Sequence, residues 1–125
     1  MVRFLDEKNI LVNDYYGFDV EFRKKLKNVF RKHKLHPVTF PYYPQDIKNE
    51  LDDYTALGCY INFMHIGNKI ILPEFGISQD RKAIQKAKKI LNEYWKGIVI
   101  ETVNCHKIAW EGGVLNCVGW GVKKK

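Results

Sequence analysis

The sequence has no apolar run long enough to cross a membrane and too few cysteines for a disulfide framework. A membrane-spanning helix needs roughly 20 apolar residues, and no stretch of the 125 residues approaches that length. The cysteines, Cys59, Cys105 and Cys117, are odd in number, and a chain of this length can bury an adequate core without cross-links. Charged residues follow Met1 closely, so we expect no signal peptide. These absences favour a soluble protein of the reducing cytoplasm.

Acidic residues are in deficit, which leaves a net charge of +7. An excess of lysine and arginine can attract the phosphates of nucleic acids. Here the basic residues are spread over two predicted helices and the tail 123–125, and tyrosine and phenylalanine do not interleave with them. We therefore favour solvated helix faces. A nucleic-acid-binding module stays open as an alternative, and it predicts binding that depends on salt.

The first third of the chain predicts two strands, a helix and a third strand. Apolar stretches at 2–5 and 10–13 flank a polar turn, which is typical of a β-hairpin. Asp19 is the predicted N-cap of a helix over 20–34, whose apolar residues recur at helical spacing. A proline-flanked strand at 37–41 follows.

The same order of elements is predicted a second time. Strands at 59–66 and 69–73 flank a glycine-containing turn and form a second hairpin. Ser78 is the predicted N-cap of a helix that reaches Tyr94. The strand at 98–103 completes the series.

This recurrence indicates an internal repeat with an offset of about 60 residues, as between Ile10 and Ile70. We predict an α/β fold with two ββαβ repeat units, about 2–41 and 59–104, within one region that spans the whole chain. A unit of this kind cannot bury its sheet alone and has to stack on neighbours. A last strand at 112–122 would open a further unit.

The chemistry-bearing stretch is a pair of glycines followed by an apolar segment and a cysteine. Gly112 and Gly113 allow a tight turn and a close approach of backbone to a ligand. Cys117 could then face a pocket as a nucleophile, provided that nearby positive charge holds it as a thiolate. From this pattern alone, a buried structural cysteine is the favoured interpretation.

Three segments together carry a more specific signal. Residues 111–117 (Glu-Gly-Gly-Val-Leu-Asn-Cys) end in the glycine pair and the cysteine. Residues 60–63 (Tyr-Ile-Asn-Phe) are followed at 70–76 by Ile-Ile-Leu-Pro-Glu-Phe-Gly, and Arg-Phe occurs at 3–4. In type, order and separation these segments resemble the agmatine deiminase and bacterial peptidyl-arginine deiminase family, in which Arg-Phe follows a His-x-Asp motif. The resemblance covers this whole chain but only about the last two-fifths of a full family member.

The resemblance implies a pentein fold, an α/β-propeller of five ββαβ units around a central site, of which this chain would form a part. It implies that Cys117 attacks the guanidinium carbon of agmatine or an arginine-like substrate, that ammonia leaves, and that water releases a ureido product. Cys117 and Asn62 are the implied catalytic residues. Gly112, Gly113 and Asn116 are the implied substrate-binding residues. The expected partner is this small guanidine substrate, with no cofactor, metal or membrane.

The chain departs from the family in its acid–base groups. The His-x-Asp motif would fall just before Met1, and the earlier guanidinium-binding acids are missing with it. None of the four histidines stands at the matching position, and we expect each to be structural or on the surface: His33, His36, His65 and His106. Little turnover is expected unless a complementing upstream chain supplies those groups. A homo-oligomer is the other assembly that we consider. The alternative is a noncatalytic pentein-like remnant that binds a partner through open sheet edges.

Overall fold

The structure is a computed structural model that describes residues 1–17 and 20–119. It contains two three-stranded sheets, each consisting of an antiparallel hairpin and a third strand parallel to the second. The order strand, strand, helix, strand occurs twice along the chain. The predicted α/β class is confirmed. Among the described residues, no helix is both long enough and apolar enough to cross a membrane.

The first sheet contains β1 (Val2–Phe4), β2 (Asn9–Asn13) and β3 (His36–Phe40), with α1 (Val20–Lys32) as the crossover. β1 pairs with β2 in antiparallel register, and β3 runs parallel to β2. A parallel pair needs a crossover of a dozen or more residues, which the helix supplies. The hairpin and the parallel strand lie where the sequence predicts them.

The turn and the helix end of this unit have local causes. The Asp6 carboxylate accepts the backbone N–H groups of Lys8 and Asn9 at 2.8 and 2.7 Å and so closes the hairpin turn. Helix α1 ends two residues before the predicted end, because Lys34 has a φ of 54° in the left-handed region and cannot continue it. The predicted N-cap, Asp19, lies outside the described residues.

The second sheet contains β4 (Met64–Ile66), β5 (Lys69–Glu74) and β6 (Val99–Asn104), with α2 (Asp80–Tyr94) as the crossover. β4 is antiparallel to β5, and β6 is parallel to it. The strand predicted at 59–66 is too long, because its earlier part forms turns rather than ladder pairs. The consequence is that the segment before β4 is irregular backbone inside the fold.

The predicted Ser78 cap of the second helix is wrong. Helix α2 begins at Asp80, and the Ser78 hydroxyl donates to the side chain of Gln79 instead of to a helix amide. The Asp80 carboxylate accepts the backbone N–H groups of residues 75–77. An acceptor in the first helical turn therefore satisfies the loop before the helix, which leaves no such role for Ser78.

The last predicted strand, 112–122, is also wrong over its described part. A short helix, α3 (His106–Trp110), precedes this stretch, and within it the chain forms a second short helix, α4 (Leu115–Val118). The N–H of Cys117 donates to the carbonyl of Val114 at 2.9 Å, so the backbone turns back on itself rather than extending. Residues 120–122 lie outside the described part of the chain.

The main core lies where the two units meet and is rich in aromatic side chains. Its largest fully buried members are Tyr60, Phe40, Phe63 and Phe75. Full burial of an apolar side chain of this size stabilises the fold by about 1.5–3 kcal/mol. Since the irregular segment before β4 contributes two of these rings, that segment is anchored by packing although no ladder holds it.

Candidate active site

Cys117 lies in α4, directly after the glycine turn, and its side chain is exposed. Gly112 has a φ of +83°, a conformation that side-chain-bearing residues rarely adopt, so the turn needs a glycine there. A Cβ built on Gly113 would lie 4.0 Å from Cβ of Cys117. The glycine turn thus lies beside the thiol-bearing residue.

A single amide side chain connects this cysteine to the second unit. Asn62 is only 3% exposed and lies in the irregular segment before β4. Its Nδ2 donates to Sγ of Cys117 at 3.0 Å, and its Oδ1 accepts the backbone N–H of Asn116 at 3.0 Å. The structure therefore brings together three of the five predicted site residues, and Gly113 lies beside them.

These contacts favour the thiolate form of the cysteine. The pKa of Cys117 is lowered, first by the hydrogen bond from Asn62 and then by a backbone hydrogen bond from Val114, while slight burial opposes them. Donors that point at sulfur stabilise its charged form. Nearby positive charge was the expected means of stabilising the thiolate. In the structure, neutral amide donors stabilise it instead.

The other two cysteines lie in environments of the opposite kind. Burial raises the pKa of Cys59, and the Nδ2 of Asn13, 3.9 Å from its Sγ, offsets this only in part. Burial also raises the pKa of Cys105. All three cysteines are free. Cys117 is consequently the thiol whose exposure and pKa suit a nucleophile.

The histidines have structural contacts or lie on the surface. Within the described residues, the hydrogen bonds of Cys117 involve asparagine and backbone groups and no histidine. His33 and His36 are exposed, while ring nitrogens of the other two lie near backbone carbonyls, His65 with Gly67 at 3.1 Å and His106 with Phe75 at 2.6 Å. No group of three or more potential metal ligands occurs in the part of the chain that the structure describes.

A loop between the two units, residues 42–58, lies against the glycine turn. Trp110 contacts this loop through its backbone carbonyl and through its indole N–H. Its carbonyl accepts from Nδ2 of Asn49 at 3.2 Å, and its Nε1 donates to the Glu50 carboxylate at 2.9 Å. The carbonyl oxygen of Tyr54 then lies 3.7 Å from where a Cβ on Gly112 would be. The loop forms one wall beside the turn that precedes Cys117.

Comparison with known proteins gives a matching family and several similar solved structures. A family model described as Porphyromonas-type peptidyl-arginine deiminase matches residues 1–122. A crystal structure provisionally described as a peptidyl-arginine deiminase superposes with a TM-score of 0.70 over 100% of this chain at 20% identity. The agmatine deiminase of Enterococcus faecalis gives a TM-score of 0.62 over 94% of the chain at 18% identity. That of C. jejuni gives 0.64 over 94% at 21% identity.

The chain spans only part of each of these structures, namely 38%, 37% and 36% of their lengths in the same order. The C. jejuni enzyme has also been solved as a cysteine-to-serine variant with substrate bound. At these identities the superpositions establish a shared fold over the matched part. Comparison with curated proteins gives no match.

Proposed function

Because this chain belongs to the Porphyromonas-type peptidyl-arginine deiminase family, we propose that it is the nucleophile-bearing part of a guanidine deiminase. The observation that supports the proposal most is the contact at 3.0 Å between Nδ2 of Asn62 and Sγ of Cys117. Two residues that the family resemblance singles out, 55 positions apart, meet at one sulfur whose pKa is lowered. The substrate is a small guanidine, agmatine or an arginine derivative.

In the proposed reaction the Cys117 thiolate adds to the guanidinium carbon and forms a tetrahedral adduct. One amino group takes a proton and leaves as ammonia, which produces a covalent amidino-thioether. A water molecule then adds to the same carbon and loses a proton to a general base. Collapse of this second adduct breaks the carbon–sulfur bond, releases the ureido product and restores the thiolate.

The residues of this chain have distinct roles in that scheme. Asn62 stabilises the sulfur anion before attack and again when sulfur departs, so it serves both steps. Gly112 and Gly113 bring backbone close to the substrate, and Asn116 borders it next to the nucleophile. The proposed chemistry uses no cofactor.

The proton-transfer histidine and the carboxylates that bind the guanidinium come, in this proposal, from outside these 125 residues. Residues 2–41 and 59–104 would be two units of a five-unit propeller, with the nucleophile segment opening the next. A complementing chain would complete the site in the cytoplasm. Isolated, the chain should turn over little substrate, because such groups act as a unit.

A reconstitution assay tests the proposal. The chain is incubated with agmatine or an N-acylated arginine amide, alone and with a chain that carries the His-x-Asp part of a family member. Ammonia and ureido product are measured. We expect product only in the mixture, lost on Cys117→Ala and retained on Cys59→Ser, the matched thiol control. Product that survives Cys117→Ala, or no product in any mixture, would contradict the proposal.

A further inference from the structure

The segment that carries Asn62 has no strand ladder to hold it in place. Residues 60–63 lie outside any ladder and follow an isolated bridge between Cys59 and Tyr42. The backbone hydrogen bonds from Cys59 to the Ala56 carbonyl and from Asn62 to the Cys59 carbonyl are both 3.3 Å long. Two long hydrogen bonds and one isolated bridge are weak restraints on the distance between Asn62 and Cys117. Hydrogen-bond strength at the sulfur falls steeply with distance, so side-chain anchors have to supply the precision.

One such anchor begins two residues before Asn62. Tyr60 is fully buried, and its hydroxyl donates to Oδ1 of Asp80 at 2.6 Å. Its ring also contacts the Phe75 ring edge-on, with centroids 5.1 Å apart. Burial raises the pKa of Tyr60, so the hydroxyl stays protonated and keeps donating. The ring and the hydroxyl together fix both the depth and the rotation of this side chain.

The acceptor of that hydrogen bond is itself held rigidly. The Asp80 carboxylate also accepts the N–H groups of Phe75, Gly76 and Ile77, at distances from 2.7 to 3.2 Å. Four donors therefore converge on one carboxylate at the start of α2. An anion at a helix N-terminus is stabilised further by the helix dipole. Such a preorganised acceptor tolerates little displacement of Tyr60.

We propose that Tyr60 and Asp80 are positioning residues for the Asn62–Cys117 contact: they fix the turn that carries Asn62 and thereby set how strongly its amide holds the thiolate. The role in catalysis rests on the proposed deiminase function, but the effect on the thiol does not. Tyr60 acts through Asn62 and does not contact the sulfur. Removal of its hydroxyl should let Asn62 drift and weaken the hydrogen bond to the anion.

The test measures the pH midpoint of Cys117 alkylation by iodoacetamide, with the adduct located by peptide mass. Iodoacetamide needs no guanidine site, so failure of the deiminase proposal would leave this result intact. Tyr60→Phe should raise the midpoint by about half a unit, which is roughly a threefold loss of thiolate below the midpoint. Asp80→Asn, which keeps one acceptor oxygen, should shift it in the same direction. Tyr43→Phe makes the same change on a neighbouring ring and should leave it unchanged.

A double-mutant cycle separates this role from a general loss of stability. If Tyr60 acts through Asn62, Tyr60→Phe should add no shift in an Asn62→Ala background. An unchanged midpoint in Tyr60→Phe, or an equal shift in both backgrounds, would overturn the proposal. Should Tyr60→Phe fold poorly by circular dichroism, Asp80→Asn in the same two backgrounds gives the same decision.

Discussion

At the residue scale, the activation of Cys117 depends on hydrogen-bond geometry rather than on a neighbouring cation. An amide N–H can stabilise an anion at short range without bringing a second charge into the site. Because Asn62 uses its other end to accept the N–H of Asn116, its rotation is fixed and Nδ2 has to face the sulfur. Because its pKa is lowered, the Cys117 thiol loses its proton at a lower pH than an ordinary cysteine. The rate of alkylation should therefore rise with pH around a midpoint that is lower than usual.

Substitution of Asn62 should reverse this shift. Asn62→Ala removes the donor that contributes most to lowering the pKa of Cys117. The alkylation midpoint should rise by about one to two units, since a hydrogen bond to a charged group is worth about 1.5–3 kcal/mol. Asn62→Asp adds a carboxylate beside the sulfur and should raise the midpoint further. The measurement is the pH profile of adduct formation at Cys117. A midpoint in Asn62→Asp below that of Asn62→Ala would contradict this order.

The sequence could identify the participants of this contact but not their arrangement. Cys117 and Asn62 follow from motif resemblance, and the structure brings their side chains into contact. The dependence on an amide could not be predicted, because the direction of a side chain across 55 positions depends on packing. Tyr60 and Asp80 were missed as partners for the same reason: their hydrogen bond joins residues 20 positions apart.

At the scale of elements, backbone contacts join the two ends of the loop 42–58. Tyr42 and Cys59 form an isolated antiparallel bridge, and the N–H of Tyr43 donates to the Gly58 carbonyl at 3.1 Å. Gly58 has a φ of +83°, and a Cβ there would lie 1.9 Å from the carbonyl oxygen of Tyr43. Only glycine allows the two backbones to approach this closely.

Alanine at Gly58 should lower the free energy of unfolding far more than alanine at a glycine with open space around it. Gly97 has a φ of +76° with nothing within 4 Å of a built Cβ, so Gly97→Ala should cost only the left-handed strain of about 1 kcal/mol. Gly58→Ala adds a backbone clash and should cost about 3 kcal/mol. Urea unfolding of both variants measures the difference in the free energy of unfolding. Equal losses of stability in the two variants would contradict the expected clash with the Tyr43 carbonyl.

Local patterns were sufficient for the regular elements and insufficient for the irregular ones. Hairpins, crossover helices and parallel strands could be predicted because hydrophobic periodicity and turn residues are local features of the sequence. The irregular segment 60–63 and the helix α4 replace parts of predicted strands, and they are joined by a contact between residues that are distant in sequence. Asn62 accepts the N–H of Asn116, and this fixes the backbone at the start of α4 in a way that no local pattern reveals.

At the scale of the whole molecule, Arg3 links the two units. From β1 its guanidinium donates to the Phe63 carbonyl and lies 4.0 Å from the centre of the Phe63 ring. Burial lowers the pKa of Arg3, yet arginine stays charged, so this cation is partly desolvated and its ring contact is strengthened. The link reaches the same irregular segment that carries Asn62.

Removal of this link should destabilise the molecule more than removal of a similar surface contact. Arg3→Ala leaves the Phe63 carbonyl without its donor and should lower the free energy of unfolding by about 2 kcal/mol. Arg23, whose guanidinium lies 5.1 Å from the centre of the Tyr16 ring on an exposed surface, is the control. Arg23→Ala should change stability by less than about 0.5 kcal/mol. Similar losses in both would refute the special role of Arg3.

The most direct test of Cys117 as a guanidine-site nucleophile is covalent labelling with a haloacetamidine, whose cationic amidine resembles the substrate. The adduct is located by peptide mass after limited reaction, with a neutral haloacetamide as the comparison. We predict labelling at Cys117, with Cys59 and Cys105 unmodified because burial raises their pKa values. Labelling at Cys59 or Cys105 while Cys117 stays unmodified would contradict the assignment.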